Sequence, residues 1–404
     1  MTPTRRATMT PTRRATMTPT RRMVLAGMGA ALALPARAAG RSSVAQALDA
    51  AAGAPPAQGL RMLDGLIGAT PSERLDLEAA REGLAAEELI ANGDAAGVDR
   101  FALMLRRQLG EVDPARARAR IEREHARVAA RADRLFRTIG LGGGSIGERY
   151  RHLWRDERFL YFDSDAGRDR AVADMNRALA HVRPQLAGWF GPLPPPVLAS
   201  EARRMSPADE AKRRGGYREA PSPARPGAYF VDLTDIRRRP GWTLPGVVHH
   251  ELLPGHMPQL FAEAMAAPHA LRLRYAPAFG EGWAIYAETL PRHAGPHDEL
   301  GHLHWLLFRL CRARVELGLH LDGWSVEQAR ARLEEWQGEP ACFAPFEADL
   351  PRIAAEPATR TAEALCWLAI ADRARGRTGA TLARFHRALL AHGRMRLSAI
   401  RRTG

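Results

Sequence analysis

The chain has 404 residues, of which 46% are hydrophobic, and its mean hydropathy is −0.31. This excludes a disordered chain and allows one large domain or two ordinary ones with a sizeable core. The formal net charge is +14, but residues 1–40 contain seven arginines and no acidic residue, so the remainder carries only about +7. Lys212 is the only lysine, and the arginines lie beside acidic residues along helical stretches, as on solvated helix faces. We therefore expect no nucleic-acid partner.

Residues 1–38 resemble an export signal. An eight-residue repeat reads MTPTRRAT, MTPTRRAT and MTPTRRMV. Each copy begins with Met, so Met9 and Met17 are alternative start sites. A twin arginine at 21–22, a short apolar run and a small-x-small pattern are typical of a Tat signal cleaved before Ala39, with an ordinary Sec signal as the alternative. We expect a periplasmic or secreted protein, in which no later segment is long and apolar enough to span a membrane.

The rest of the chain is predicted to form one mainly α domain with a small β-sheet or hairpin. Residues 39–190 form a helical part, because apolar residues recur every three to four positions. Residues 191–245 form a connector rich in Pro and Gly, and its best strand is the aromatic, β-branched segment 228–231. Residues 246–404 are again mostly helical.

A candidate metal site begins in HHELLPGHMPQ, residues 249–259. Pro254 lacks the N–H that would bond the carbonyl of His250, so the helix should end or kink there. In an unbroken helix His250 and His256 would point about 120° apart. The Pro-Gly break lets His256 turn back towards a shared metal. His249 lies seven residues from His256, about 10 Å along a helix axis, so we expect it to support the site rather than to bind the metal.

A third ligand is expected from FGEGWAIYAE, residues 279–288. The separation between His256 and Glu281 is enough to end one helix and return antiparallel beside it. The glycines that flank Glu281 cost about 1 kcal/mol each in a helix, which suggests that something approaches closely there. Glu288 shares a helix face with Glu281 and is a candidate for orienting a ligating histidine.

These residue types suit metal-assisted hydrolysis. Two imidazoles and a carboxylate leave a position for water, whose pKa zinc lowers to about 7. Glu251 cannot share the metal position of its neighbour His250 and is the candidate general base. A donor to the developing oxyanion is also needed. The unranked candidates for that donor are Tyr286, Arg312, His320 and His386.

HELLPGHMPQ followed by FGEGWAIYAE resembles the motifs HExxPGH and EGWAxYAE of the bacterial DUF885 family, which belongs among the zincin-like metallopeptidases. Weaker likenesses at 222–232, 309–329 and 385–393 follow the same order, so the resemblance covers roughly residues 220–400. It implies a zincin-like helical architecture and one Zn²⁺ per chain. The residues implied to form the site are His250, His256 and Glu281 as ligands and Glu251 as the base.

The resemblance also implies a peptide or peptide-like substrate. The strand at 228–232 would be the edge along which an extended peptide lies. The candidate substrate-contacting residues are Arg225, Tyr229, Phe230, Arg309 and Arg312.

The sequence therefore predicts an exported zinc-dependent hydrolase of peptides or peptide-like amides. The alternative is a catalytically silent relative that serves as a periplasmic binding or envelope protein. Side-chain preference, exo- or endo-cleavage and oligomeric state stay open at this point.

Overall fold

The chain folds as a mainly helical protein that carries one small three-stranded sheet. The structure, a computed structural model, describes residues 42–93, 97–212 and 215–403. The predicted export signal at 1–38 lies outside the described residues. The predicted class, mainly α with a small sheet, is confirmed.

Nine helices of the described residues precede the sheet. They are α1 (Ser43–Ala52), α2 (Pro56–Leu63), α3 (Pro71–Asn92), α4 (Gly97–Leu109), α5 (Pro114–Thr138), α6 (Ile146–Trp154), α7 (Asp165–Val182), α8 (Leu186–Phe190) and α9 (Pro195–Leu198). Capping boxes fix where two of them begin, Thr70 with Glu73 for α3 and Ser145 with Glu148 for α6. The helical pattern seen in the sequence thus forms helices with defined ends.

The sheet consists of β1 (Glu201–Arg204), β2 (Tyr217–Glu219) and β3 (Ala228–Val231), with helix α10 (Pro207–Ala211) between the first two strands. The strand order is β1-β3-β2, with β1 parallel and β2 antiparallel to β3. The predicted strand is therefore real, but the prediction that it is an edge strand is wrong. Strand β3 is central, because its backbone groups pair with a neighbour on each side.

The two edges of this sheet differ. The side chain of Asn176 on α7 accepts a hydrogen bond from the backbone N–H of Ala202 and donates one to its carbonyl, so α7 covers the outer edge of β1. No strand pairs with the outer edge of β2 among the described residues. The open edge of the sheet is therefore that of β2.

Ten α-helices follow the sheet in the part of the chain that the structure describes. They are α11 (Leu244–Glu251), α12 (His256–Ala266), α13 (Ala270–Tyr275), α14 (Ala278–Ala287), α15 (Pro296–Leu321), α16 (Val326–Trp336), α17 (Phe346–Ala355), α18 (Thr359–Ala374), α19 (Gly379–Leu390) and α20 (Leu397–Arg402). Helix α14 packs along α18, and α15 packs along α5 and also contacts α11. The two helices that carry the candidate motifs, α11 and α14, are in direct contact with each other.

The described residues form one compact unit around a large apolar core. A smaller cluster joins α1–α3 to α13, with Leu48, Leu84 and Tyr275 fully buried. Within the described residues, none of the helices combines the length and the hydrophobicity needed to span a bilayer.

Candidate metal centre

The predicted break in the helix lies where the prolines and glycine place it. Helix α11 ends at Glu251 and α12 begins at His256, and the Leu253–Pro254 peptide bond in the connecting turn is cis. Gly255 lies against the last carbonyls of α11: a Cβ atom at this position would be 2.0 Å from the carbonyl oxygen of His250. A side chain therefore cannot be accommodated without moving the turn.

Helix α14 holds this turn from the other side. The indole Nε1 of Trp283 donates a hydrogen bond of 2.9 Å to the carbonyl of Gly255, and the Trp283 side chain is fully buried. The turn is thus fixed to the helix that carries Glu281, which places the three predicted ligands on mutually anchored elements.

His250, His256 and Glu281 converge. One potential ligand atom from each of them lies within 4.8 Å of the others. His250 Nε2 is 3.1 Å from Glu281 Oε2, and His256 Nε2 is 3.3 Å from Glu281 Oε1. The two imidazole rings are 5.0 Å apart between centroids, with their planes at 89°.

The two histidine–carboxylate separations are close to those between zinc ligands. Ligand atoms bonded to zinc at about 2.0–2.2 Å lie roughly 3.3–3.6 Å from one another. The histidine–carboxylate distances are 3.1 and 3.3 Å, each to a different oxygen of Glu281. His256 Nε2 is also buried without a hydrogen-bond partner among the described residues, as expected of an atom that is placed for a ligand.

A polar side chain stands behind each histidine. Glu288 Oε1 lies 3.8 Å from His250 Nδ1, as the sequence predicted for a supporting carboxylate. Gln259, which the sequence reading missed, places Oε1 3.4 Å from His256 Nδ1 and is fully buried. Because these groups face Nδ1, each ring presents Nε2 to the shared site. Gln259 could have been found from its position three residues after His256, on the same helix face.

The titration behaviour of the three residues reflects their contacts. Burial alone lowers the pKa of His250, as does Arg309, but the carboxylates of Glu281 and Glu288 outweigh both and raise it to about 9. For His256, burial and Arg218 prevail over Glu281 and lower the pKa. The two imidazoles hold the pKa of Glu281 well below its usual value against the opposing effect of burial. Glu281 is therefore a carboxylate at neutral pH.

Glu251 pairs with an arginine that the sequence reading missed. Arg218 on β2 places Nη1 3.0 Å from Glu251 Oε2 and Nη2 3.9 Å from Glu281 Oε1. Burial raises the pKa of Glu251, but the opposing effect of Arg218 and the two histidines is larger. The pKa of Glu251 is therefore below its usual value. No sequence signal marked Arg218, because its role depends on the pairing of β2 with β3.

A cavity of about 190 Å³ adjoins these residues. Its walls include Tyr229, Arg239, Glu251, Trp305, Arg309 and Phe343. Of the predicted substrate-contacting residues, only Tyr229 and Arg309 line this cavity.

The other three lie elsewhere. Phe230 stacks on Tyr217, with ring centroids 4.7 Å apart. Arg225 is largely exposed, and its nearest carboxylate is that of Glu219 at 3.7 Å. Arg312 forms a buried bidentate ion pair with Asp349, at 2.7 and 2.5 Å. Arg312 therefore supports the packing of α15 on α17, and neither of its predicted roles, in substrate contact or as an oxyanion donor, agrees with its position.

The remaining candidate oxyanion donors do not line the cavity either. The hydroxyl of Tyr286 is 2.8 Å from His386 Nε2, and His386 Nδ1 is 2.8 Å from the carbonyl of Trp189, so both side chains are committed within the core. His320 lies eleven residues beyond Arg309 on α15, about 16 Å along the axis. Its Nε2 is 3.2 Å from the carbonyl of Ile353.

Two further predictions need correction. His249 is buried with Nδ1 unpaired, and burial lowers its pKa to about 3, with further small effects from His293 and His181. Among the described residues, His249 makes no hydrogen bond to a ligand of the triad. The glycine after Glu281 is explained by packing: a Cβ at Gly282 would lie 2.6 Å from the Cβ of Cys366 on α18. The close neighbour is thus a helix.

Comparison with known proteins adds a family and a fold. A family model described as "Bacterial protein of unknown function (DUF885)" matches residues 4–403, well beyond the 220–400 region of the predicted resemblance. A solved structure described as a "putative lipoprotein" from Colwellia psychrerythraea is 25% identical, with a TM-score of 0.66, and the alignment covers 89% of this chain and 68% of that one.

A second solved structure carries the same description with the words "of unknown function" and comes from Shewanella oneidensis. It is 16% identical, with a TM-score of 0.61, covering 89% of this chain and 72% of that one, and shows the fold alone. None of the curated proteins compared with the chain matches it.

Proposed function

The chain belongs to the DUF885 family, and from the geometry of its ligand triad we propose that it is an exported hydrolase of peptides or peptide-like amides that uses one zinc ion. The observation that carries this proposal is the convergence of His250, His256 and Glu281 across a Pro-Gly turn, with all three ligand atoms within 4.8 Å. An adjacent carboxylate, Glu251, stands outside the triad, where a general base is needed.

The residues around the triad have separable roles. When bound there, zinc would supply Lewis acidity and lower the pKa of a neighbouring water to about 7. Glu251 accepts the proton of the attacking water and passes it to the leaving amine. Arg218 engages Oε2 of Glu251 and keeps this carboxylate ionised. The same guanidinium is close enough to the triad to stabilise negative charge on a tetrahedral oxyanion.

The substrate backbone has one open strand edge to pair with. Asn176 covers the outer edge of β1, whereas the outer edge of β2 has no strand beside it among the described residues. Arg218 lies in the middle of β2 and reaches Glu251. An extended peptide that hydrogen-bonds along β2 would therefore pass beside the base, as strand addition requires.

Export is supported by two independent observations. The residues at 1–38 have the pattern of a secretion signal. The solved structure from Colwellia psychrerythraea, 25% identical to this chain, is described as that of a "putative lipoprotein". On these grounds we propose that the protein is exported to the periplasm or beyond it.

Metal analysis of the purified protein, paired with Glu251→Gln, tests the proposal. We expect about one zinc per chain in both proteins. Hydrolysis of a peptide library should occur in the parent and fall by a factor on the order of 10²–10⁴ in the variant, because only the base is lost. A parent protein without zinc contradicts the proposal. Zinc without hydrolysis would instead favour a catalytically silent binding protein of the envelope.

A further inference from the structure

The cavity beside the triad contains two arginines without an acidic partner. Arg239 is only 7% exposed, and among the described residues its guanidinium forms no ion pair or hydrogen bond. Arg309 has no ion pair there either: its Nη2 lies 3.3 and 3.4 Å from the ring nitrogens of His250, and its Nε is buried without a partner. A buried cation without a counter-ion is costly, and here the buried Arg239 shares the cavity with the half-buried Arg309. The pair indicates a site for an anion.

Neither carboxylate that lines this cavity forms an ion pair with Arg239 or Arg309. Glu251 pairs with Arg218 at 3.0 Å. Within the described part of the chain, the oxygens of Glu288 are buried without a hydrogen bond, and Oε1 lies 3.8 Å from Nδ1 of His250. Glu363 is within electrostatic range of Arg309, but its ion pair is with Arg360, at 3.3 Å. The positive charges of Arg239 and Arg309 are therefore left for a ligand.

An aromatic wall completes the cavity. Trp305 and Phe343 stack with their ring centroids 5.9 Å apart and their planes at 20°. Trp305 is fixed by a 2.9 Å hydrogen bond from Nε1 to the carbonyl of Thr243, and Gly246 leaves room for its ring. Phe343 is 49% exposed, so the wall extends from the two arginines to solvent. An apolar side chain can lie on this wall while a carboxylate reaches the guanidinium groups.

We propose that this cavity is a carboxylate subsite, so that the preferred substrate carries a carboxylate at Arg239 and Arg309 and an apolar or aromatic side chain against Trp305 and Phe343. The word substrate rests on the proposed hydrolase function. A C-terminal carboxylate and an acidic side chain share the required chemistry. The aromatic wall favours the C-terminal carboxylate, because the residue that bears it can then place an apolar side chain on the wall. The enzyme would thus release C-terminal residues.

Calorimetric titration of zinc-loaded Glu251→Gln protein tests the subsite without turnover. The probes are N-acetyl-L-phenylalanine, its carboxamide, and the α-amide of N-acetyl-L-glutamic acid. We expect the phenylalanine acid to bind at least about tenfold more tightly than its carboxamide, since charge-assisted hydrogen bonds to a carboxylate are lost in the amide. The preference should shrink to within about twofold when Arg239→Gln or Arg309→Gln is added, whereas Arg225→Gln, at an exposed arginine outside the cavity, should retain it.

Each result of this titration either supports or overturns the proposed subsite. Equal binding of acid and carboxamide overturns the subsite, and so does a preference that survives both glutamine substitutions. Tight binding of the glutamate α-amide instead supports the subsite and identifies an acidic side chain as the source of the carboxylate. Should a glutamine variant fail to fold, the acid-to-amide ratio of the Glu251→Gln protein still decides, and Arg239→Lys and Arg309→Lys are expected to retain part of it.

The subsite and the hydrolase can fail separately. Tighter binding of the acid than of the carboxamide, without hydrolysis of any peptide by the parent protein, would contradict the hydrolase function and support the subsite. Equal hydrolysis of peptides with free and amidated C-termini, together with equal binding of all probes, would support the hydrolase function and contradict the subsite.

Discussion

At the residue scale, the two histidine ligands depend on the groups behind them. Gln259 faces Nδ1 of His256 and is in turn 3.3 Å from Glu263, which Arg394 holds at 2.6 Å. This chain of contacts fixes the ring so that Nε2 points at Glu281. The orientation of a ligand is therefore determined by residues that never touch the metal.

Replacing Gln259 should weaken zinc binding without removing a ligand. Gln259→Leu keeps the side-chain size but removes the acceptor for His256 Nδ1–H, so we expect zinc affinity to fall by about 10–100-fold. Competition with a chromogenic chelator measures the affinity. Thermal unfolding of the metal-free proteins controls for loss of structure, and an unchanged affinity in a folded variant would show that the hydrogen bond does not orient the ring.

A buried glutamate far from the triad makes stability depend on pH. Glu316 accepts hydrogen bonds from the backbone N–H groups of Arg360 and Thr361, at 3.0 and 2.8 Å. Burial outweighs these bonds and raises its pKa from 4.5 to about 7. The folded state thus holds a proton that the unfolded state releases. Its contribution is complete below about pH 4.5 and is lost as the pH rises through about 7.

We expect Glu316→Gln to reveal this loss. Between about pH 5 and about pH 8 the free energy of unfolding of the parent should fall, relative to the variant, by on the order of 3 kcal/mol. Urea unfolding of both proteins at the two pH values gives the difference. The variant is its own control for all other titrating groups, and a parent–variant difference that is the same at both pH values would disprove a raised pKa.

At the element scale, local signals in the sequence predicted the bend but not the pairing of strands. Pro254 and Gly255 act on backbone within a few residues, so the end of α11 and the return of His256 could be read directly. The central position of β3 depends on its pairing with two earlier strands. Strand β1 ends 24 residues before β3 begins, and β2 ends 9 residues before it. The role of Arg218 follows from that pairing and was invisible for the same reason.

Side-chain partners were likewise predictable only when they were close in the sequence. Glu288 was identified from its helical spacing to Glu281. Arg312 was a candidate for substrate contact, and its true partner, Asp349, lies on another helix, where local spacing could not reveal it. Tyr286 and His386 are 100 residues apart and are hydrogen-bonded to each other in the core, which no local pattern indicates.

The two glycines beside Glu281 provide a matched test of helix packing. A Cβ at Gly282 would lie 2.6 Å from Cys366 Cβ and 2.9 Å from the backbone nitrogen of Trp367, whereas at Gly280 the nearest atom is Gln259 Oε1 at 3.8 Å. We expect Gly282→Ala to destabilise the fold by about 1–3 kcal/mol and to weaken zinc binding by separating α14 from α18.

Gly280→Ala should leave both properties unchanged or raise stability by up to about 1 kcal/mol, since alanine favours a helix. Thermal unfolding and zinc titration of both variants measure the contrast. Equal behaviour of the two variants would show that the α14–α18 contact does not position Glu281.

At the scale of the whole molecule, arginines join helices that are distant in the sequence. Arg396 is almost fully buried; its Nε lies 2.8 Å from Glu82, and it also donates to the backbone carbonyl of Tyr275. Arg118 pairs with Asp322 at 2.8 Å. Many arginines are thus held in ion pairs and hydrogen bonds within the fold. Arg239 and Arg309 differ from them, because neither has an acidic partner among the described residues.

The central claim is that distant parts of this fold bring three side chains together around one zinc ion. Crystals grown with zinc, with diffraction recorded above and below the zinc absorption edge, test it most directly. We expect a single anomalous peak with Nε2 of His250, Nε2 of His256 and a carboxylate oxygen of Glu281 each at about 2.0–2.2 Å. A peak bound by other residues, or none at this position at saturating zinc, would contradict the account.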